Sequence, residues 1–284
     1  MEPTQQQTTA NIAQLSEEFL SELVQELDHE QLVGITLGGS YAREEATRYS
    51  DLDFACFWRE GIKPPPKRFF YHQGRLISVK QTSVAEFRAM LLRPGSAMFV
   101  KGARRLLLDK DGSIAQLFHE INNFRIETLQ PEADAQNSLW LMFMAEEVHK
   151  ILKAFQQENE PALAYATAKL VSELAAIATL SRNVQVISDS SYYQQVETAI
   201  GADSTWSRYH RVATGLEEGP ANIKPLRARA LAALRLYRET LALIRSIMKI
   251  EQLTVVEQAL ALIEEAVDQL SFTEEERAWL QSSF

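Results

Sequence analysis

The sequence contains one cysteine, Cys56, in 284 residues. That excludes an intramolecular disulfide and any zinc site built from thiolates. Long apolar runs are also missing, since none approaches the ~18 residues of a membrane span. The opening "MEPTQQQTTA" has neither the basic nor the apolar block of a signal peptide and reads as a frayed tail. Together these absences suit a cytoplasmic protein, with no membrane as partner. Basic residues are outnumbered, 29 Lys and Arg against 38 Asp and Glu, for a formal net charge of −9. A general nucleic-acid binder carries a basic face, so nucleic acid is not expected as a partner. No internal repeat is visible. His72, His119, His149 and His210 are scattered without metal-ligand spacing and read as surface or packing residues.

What is present is ordinary in amount, 46% hydrophobic and 24% charged, but unevenly arranged. "NIAQLSEEFLSELVQELDH" places Ile12, Leu15, Phe19, Leu20 and Leu23 at helical spacing. "LVGITLG" reads as a buried strand, and "DLDFACFW" as a second one ended by the breaker "GIKPPPK". "RFFYH" and "RLISVKQT", separated by Gln73 and Gly74, form a predicted hairpin. Helical spacing resumes near Val84, and "ARRLLLD" is a last predicted strand. From about Pro131 the pattern is helix after helix. "NSLWLMFMAEEVHKILKAFQQ", "PALAYATAKLVSELAAIATL", "LRARALAALRLYRETLALIRSIM" and "TVVEQALALIEEAVDQL" are the four predicted long helices. "SRNVQVISDSSYYQQ" is the most polar stretch between them and is expected to be the loosest. The fold class is therefore α+β, a small mixed-sheet domain over residues 1–130 followed by an α-helical bundle over 131–284.

The chemistry concentrates in "GGSYAREEATRYSDLDF", residues 38–54. Alternation along a strand points Asp51 and Asp53 to one side and Leu52, Phe54 and Cys56 to the other. Two adjacent carboxylates repel unless a cation sits between them, and magnesium prefers carboxylate and phosphate oxygens. Gly38 and Gly39 let backbone amides approach an anion, and a helix starting near Ser40 would aim its first amides there. Ser40 offers a hydroxyl to the same anion, and Arg43 a countercharge.

Strand, Gly-Ser, short helix and Ser-Asp-x-Asp on a strand form a pattern that resembles the nucleotidyltransferase superfamily, which includes DNA polymerase β and the antibiotic nucleotidyltransferases. Gly39, Ser40, Ser50, Asp51 and Asp53 match it residue by residue. The layout looks most like the lincosamide and aminoglycoside nucleotidyltransferases, with "LLLDKDG" followed by an apolar helix opening on "SLWLM". The resemblance implies that domain 1–130 binds a nucleoside triphosphate, ATP being the first choice, with Gly39, Ser40 and Ser50 in the family's positions; with Gly38, Arg43 and Lys80 added from the reading of the residues, these are the candidate nucleotide-binding residues. It implies one or two Mg2+ ions on Asp51 and Asp53. The implied reaction moves a nucleoside monophosphate to a hydroxyl of a small molecule, an antibiotic among the candidates, and releases pyrophosphate. Domain 131–284 would bind that acceptor. The resembled antibiotic enzymes often pair so that two chains build each site, which makes a homodimer one candidate assembly and leaves the oligomeric state open.

One feature departs from the family. Its members add a third carboxylate from a neighbouring strand, and the corresponding strand here is "RLISVKQT". With Ile77 and Val79 facing a core, Ser78 and Lys80 face the aspartates, and neither is acidic. Glu86 starts a helix and lies too far round. Three accounts stay open: one ion instead of two with the Lys80 ammonium near the missing ion's place, a carboxylate from elsewhere, or a domain that binds nucleotide without transferring it. The candidate general base is Glu147, at the edge of the apolar stripe of Leu141, Met144, Val148, Ile151, Leu152 and Phe155, where burial raises proton affinity. The competing account makes Glu146 and Glu147 solvated helix-face residues paired with Lys150 or Lys153. Trp206 is expected to pack into the bundle, Arg227, Arg229, Arg235 and Arg238 to form the wet side of a helix, and Cys56 to be inert core.

Overall fold

The computed structural model describes residues 15–281, which form two compact units. One holds the chain through Ile126 together with Val186–Ser190; the other holds Glu127–Gln185 and the chain from Ser191 onward. The tail at 1–10 and the part of the first predicted helix that includes Ile12 lie outside the described residues.

In the α/β unit, α1 (Glu17–Leu27) starts at Ser16, whose hydroxyl accepts the Phe19 amide at 3.1 Å, a standard side-chain cap. Then follow β1 (Leu32–Gly38), the single turn α2 (Gly39–Ala42), β2 (Leu52–Trp58), β3 (Arg68–His72) and β4 (Arg75–Ser83). Next come α3 (Val84–Leu91), α4 (Pro94–Ala97), β5 (Arg105–Asp109) and α5 (Ser113–Asn123). The sheet runs β3-β4-β2-β1-β5, with β2 and β4 parallel and the other pairs antiparallel. Its two faces follow the period of two. Leu52, Phe54, Cys56, Ile77 and Val79 pack on Phe19, Leu20 and Leu23 of α1. On the other face Val33 and Phe57 meet Phe87 of α3 and Ile114 and Leu117 of α5. Cover on both sides explains why "LVGITLG" is buried along nearly its whole length, Thr36 included, instead of alternating.

The second unit is helical: α6 (Gln130–Phe143), α7 (Ala145–Gln156), α8 (Glu160–Ser181), α9 (Tyr192–Ile200), α10 (Thr205–Thr214), α11 (Pro225–Ile244), α12 (Ile250–Gln269) and α13 (Glu274–Gln281). By length and composition α8 could cross a membrane, yet it is the helix on which α6, α7, α9, α10 and α11 pack. Trp206, Tyr209 and Tyr237 fill the space between α10 and α11, and the Trp206 indole donates to the Thr240 hydroxyl at 2.9 Å.

Three local expectations change. The single helix expected over 137–157 breaks at Met144, and the Tyr237 hydroxyl donates to the Leu141 carbonyl at 3.2 Å just ahead of the break. Arg235 is not on a wet face: it is 6% exposed, donates to the Leu280 carbonyl at 2.5 Å and lies over the Tyr209 ring, because α10, α12 and α13 all pack on α11. The stretch expected to be loose divides in two, Val186–Ser190 belonging to the α/β unit and Tyr192 opening α9.

Candidate functional site

β1 ends at Gly38, which pairs across the sheet with Asp53 of β2. The chain then turns sharply, with Gly39 at φ +66°. A Cβ on Gly39 would stand 2.5 Å from Asp53 Oδ2, so the backbone approaches this carboxylate more closely than any side chain permits. Gly38, Gly39, Ser40, Arg43, Ser50, Asp51 and Asp53 all line one cavity of about 450 Å3. Every residue predicted in the stretch 38–54 is thus brought to one place. The Ser50 hydroxyl accepts the Thr47 amide at 2.9 Å, which holds the loop ahead of Asp51. Arg43 is committed in part: its Nε donates to Glu45 at 2.7 Å and its Nη1 to the Ile187 carbonyl at 3.2 Å.

Burial and then the neighbouring Asp51 raise the Asp53 carboxyl above its ordinary value, and Asp189 pushes in the same direction. A hydrogen bond from Ser78 and the Lys67 ammonium oppose them without prevailing. Ser78 is the direct parallel partner of Asp53, buried beside it, so a hydroxyl occupies the strand position where a third acid would stand. Lys80 is not among the residues lining the cavity. Two residues beyond Ser78, it pairs with Ala55 and lies under α3, with Nζ 3.3 Å from Met90 Sδ and 5.5 Å from the Phe87 ring centre. Burial, with Arg104 and Lys67 nearby, lowers the Lys80 pKa. Glu86 is held in a capping box, accepting the Ser83 amide at 3.0 Å and the Thr82 hydroxyl at 3.2 Å.

Glu147 belongs to the helical unit and is 1% exposed. Its Oε1 accepts from Lys150 at 2.9 Å and from Lys169 at 2.8 Å. The Lys150 pairing is the one the helical spacing anticipated; Lys169 comes from α8, a contact no local pattern reveals.

The cavity also contains residues that sequence reasoning missed: Phe99, Arg104 and the segment Val186–Ser190. Arg104 Nη1 donates to the carbonyls of Val100 at 2.5 Å and Gly102 at 3.2 Å, and burial lowers its pKa. The segment is tied in by the Val186 amide, which donates to the Met98 carbonyl at 2.9 Å. Arg104 carries a faint signal as the basic residue just before β5; the segment carries none.

Two oxygen-only carboxylates beside a glycine cradle fit a hard divalent cation such as Mg2+, which would be held by Asp51 and Asp53. Among the described residues no three Asp, Glu, His or Cys side chains stand close enough to hold an ion by themselves. Mg2+ commonly takes the rest of its ligands from water and phosphate. Backbone amides after Gly38, the Ser40 hydroxyl and the Arg43 and Arg104 guanidiniums suit phosphate oxygens.

Residues 17–85 match the family model of the nucleotidyltransferase domain. Among solved structures the chain is similar to a nucleotidyltransferase-like protein from Exiguobacterium sibiricum 255-15, at 11% sequence identity. That similarity covers 91% of this chain and 90% of the other, with a TM-score of 0.46. No curated protein matches the chain.

Proposed function

We propose that the chain, whose residues 17–85 match the nucleotidyltransferase domain, transfers a nucleoside monophosphate from Mg·ATP to a hydroxyl of a small molecule. The observation that carries this reading is the Gly39 turn set against Asp53, with Ser40, Ser50 and Asp51 lining the same cavity. In the reaction the acceptor oxygen bonds to the α-phosphorus, the bond from that phosphorus to the bridging oxygen breaks, and pyrophosphate leaves. The chemistry supplied by bound magnesium is charge neutralisation and Lewis acidity at the phosphates. The chain's own part is to place the triphosphate. Backbone amides after Gly38 and the Ser40 hydroxyl bind its oxygens, Arg43 and Arg104 balance its charge, and Asp51 and Asp53 anchor the cation. Glu147 is the candidate acceptor of the hydroxyl proton in the helical unit.

The test is pyrophosphate release from Mg·ATP across a panel of aminoglycosides, lincosamides and other polyols. Asp53→Asn is expected to lower transfer on the order of a hundredfold or more, since several kcal/mol of metal-derived stabilisation are lost. Transfer unaffected by Asp53→Asn sinks the proposal. In the same assay, Glu147→Gln separates the two accounts of that residue. Lost transfer with intact Mg·ATP binding makes it the base, and unchanged transfer makes it an ion-pair residue.

A second reading, a nucleotide-binding protein without transfer activity, is favoured by Ser78 standing directly beside Asp53. It predicts heat on titration with Mg·ATP and no pyrophosphate with any acceptor.

A further inference from the structure

The strand beside Asp53 offers a hydroxyl where the cation reading calls for a third negative charge, and no described acid on α3 is free to replace it: Glu86 is bound into its own helix cap. An acid nevertheless lines the cavity. Asp189 arrives from a point in the sequence more than a hundred residues beyond Asp53, on the segment Val186–Ser190 that folds with the α/β unit. Among the bonds that hold that segment in place, the Val186 amide donates to the Met98 carbonyl at 2.9 Å and Arg43 Nη1 to the Ile187 carbonyl at 3.2 Å. The second originates at α2's boundary, so the turn that shapes the glycine cradle also positions the segment. On either side of Asp189, the hydroxyls of Ser188 and Ser190 are bonded to each other at 2.7 Å.

Resting on the cation-binding reading above, we propose that Asp189 is the acid that replaces the missing strand carboxylate, adding the third negative charge around a divalent cation held by Asp51 and Asp53. Mg2+ keeps several waters in protein sites, so a carboxylate reaching it through water still contributes to affinity. The chain thus satisfies the charge requirement of the site from outside the sheet. The same contribution explains how Ser78 is tolerated beside Asp53.

The test uses the full chain and Mn2+ alone, with free ion followed by electron paramagnetic resonance. Asp189→Asn should weaken Mn2+ binding about tenfold, the scale seen when an outer partner of a metal site is removed. Asp189→Glu, which keeps the charge, should stay within about threefold of the unmodified chain. Thermal unfolding without metal checks that both variants fold. If Asp189→Asn binds Mn2+ like the unmodified chain while Asp53→Asn loses it, the inference is overturned and the cation reading survives. If Asp53→Asn also binds normally, the inference falls together with the reading beneath it.

Discussion

Gly39 and Asp53 constrain each other tightly. Gly39 has a left-handed backbone and no room for a Cβ, because Asp53 Oδ2 would lie 2.5 Å from it. Gly39→Ala therefore faces two penalties. The left-handed conformation costs roughly 1–2 kcal/mol for a residue with a Cβ, and the carboxylate must also move. Denaturant unfolding is expected to show that loss of stability, and calorimetry at least about a tenfold weaker affinity for Mg·ATP, because a displaced Asp53 no longer pairs with Asp51. Unchanged affinity would mean the turn does not serve the nucleotide. Cys56, on the opposite face of the same strand, is buried, and burial pushes its thiol up to about 12, which makes it inert core.

Among the elements, the packing of α9 against α10 has a pH dependence. His210 is fully buried; its Nδ1 lies 2.6 Å from Glu197 Oε1, its ring stacks on Trp206, and Tyr193 meets it edge-on. Burial lowers the His210 pKa below 6.5. The Glu197 carboxylate pulls the other way, but Arg211 contacts its second oxygen at 3.3 Å and shares its charge. A histidine with a lowered folded pKa is neutral in the fold and takes up a proton on unfolding. Its contribution is present above the ordinary value of 6.5 and is lost as pH falls below it. The helical unit is therefore expected to be less stable at pH 5 than at pH 7, and His210→Gln to flatten that slope. Urea unfolding at the two pH values, compared between the two proteins, decides it. A slope that His210→Gln leaves unchanged assigns the dependence to other groups. Neither α9 nor the Glu197–His210 contact was legible beforehand: "YYQQVETAI" is too polar and short to announce a helix, and the two partners are thirteen residues apart on different elements.

For the whole molecule, charge is the property that composition already determines. A net −9 spread over 284 residues repels a polyanion. The cationic side chains in the cavity, Arg43 and Arg104, are tied to Glu45 and to backbone carbonyls. Duplex DNA is accordingly expected to show no retardation by the protein in a gel at about 150 mM salt, since binding through phosphates requires a basic face. A retarded band would require a basic surface that the charge balance does not suggest. At this scale the division into units also departs from a simple cut in the sequence, because Val186–Ser190 returns to the α/β unit after the chain has entered the helical one.

The sequence by itself determined the strand faces, the glycine turn against the paired aspartates, the hydroxyl at Ser78 and the helical character of the second half. Each of these depends on side-chain periodicity or on residues within one short segment, and local sterics act over that range. Tertiary structure alone decided that Lys80 packs under α3, that Arg235 is buried, that the Tyr237 hydroxyl meets the Leu141 carbonyl, and that Asp189 reaches the cavity. Each of those depends on a neighbour far along the chain, and no periodicity encodes which distant surface a residue will meet.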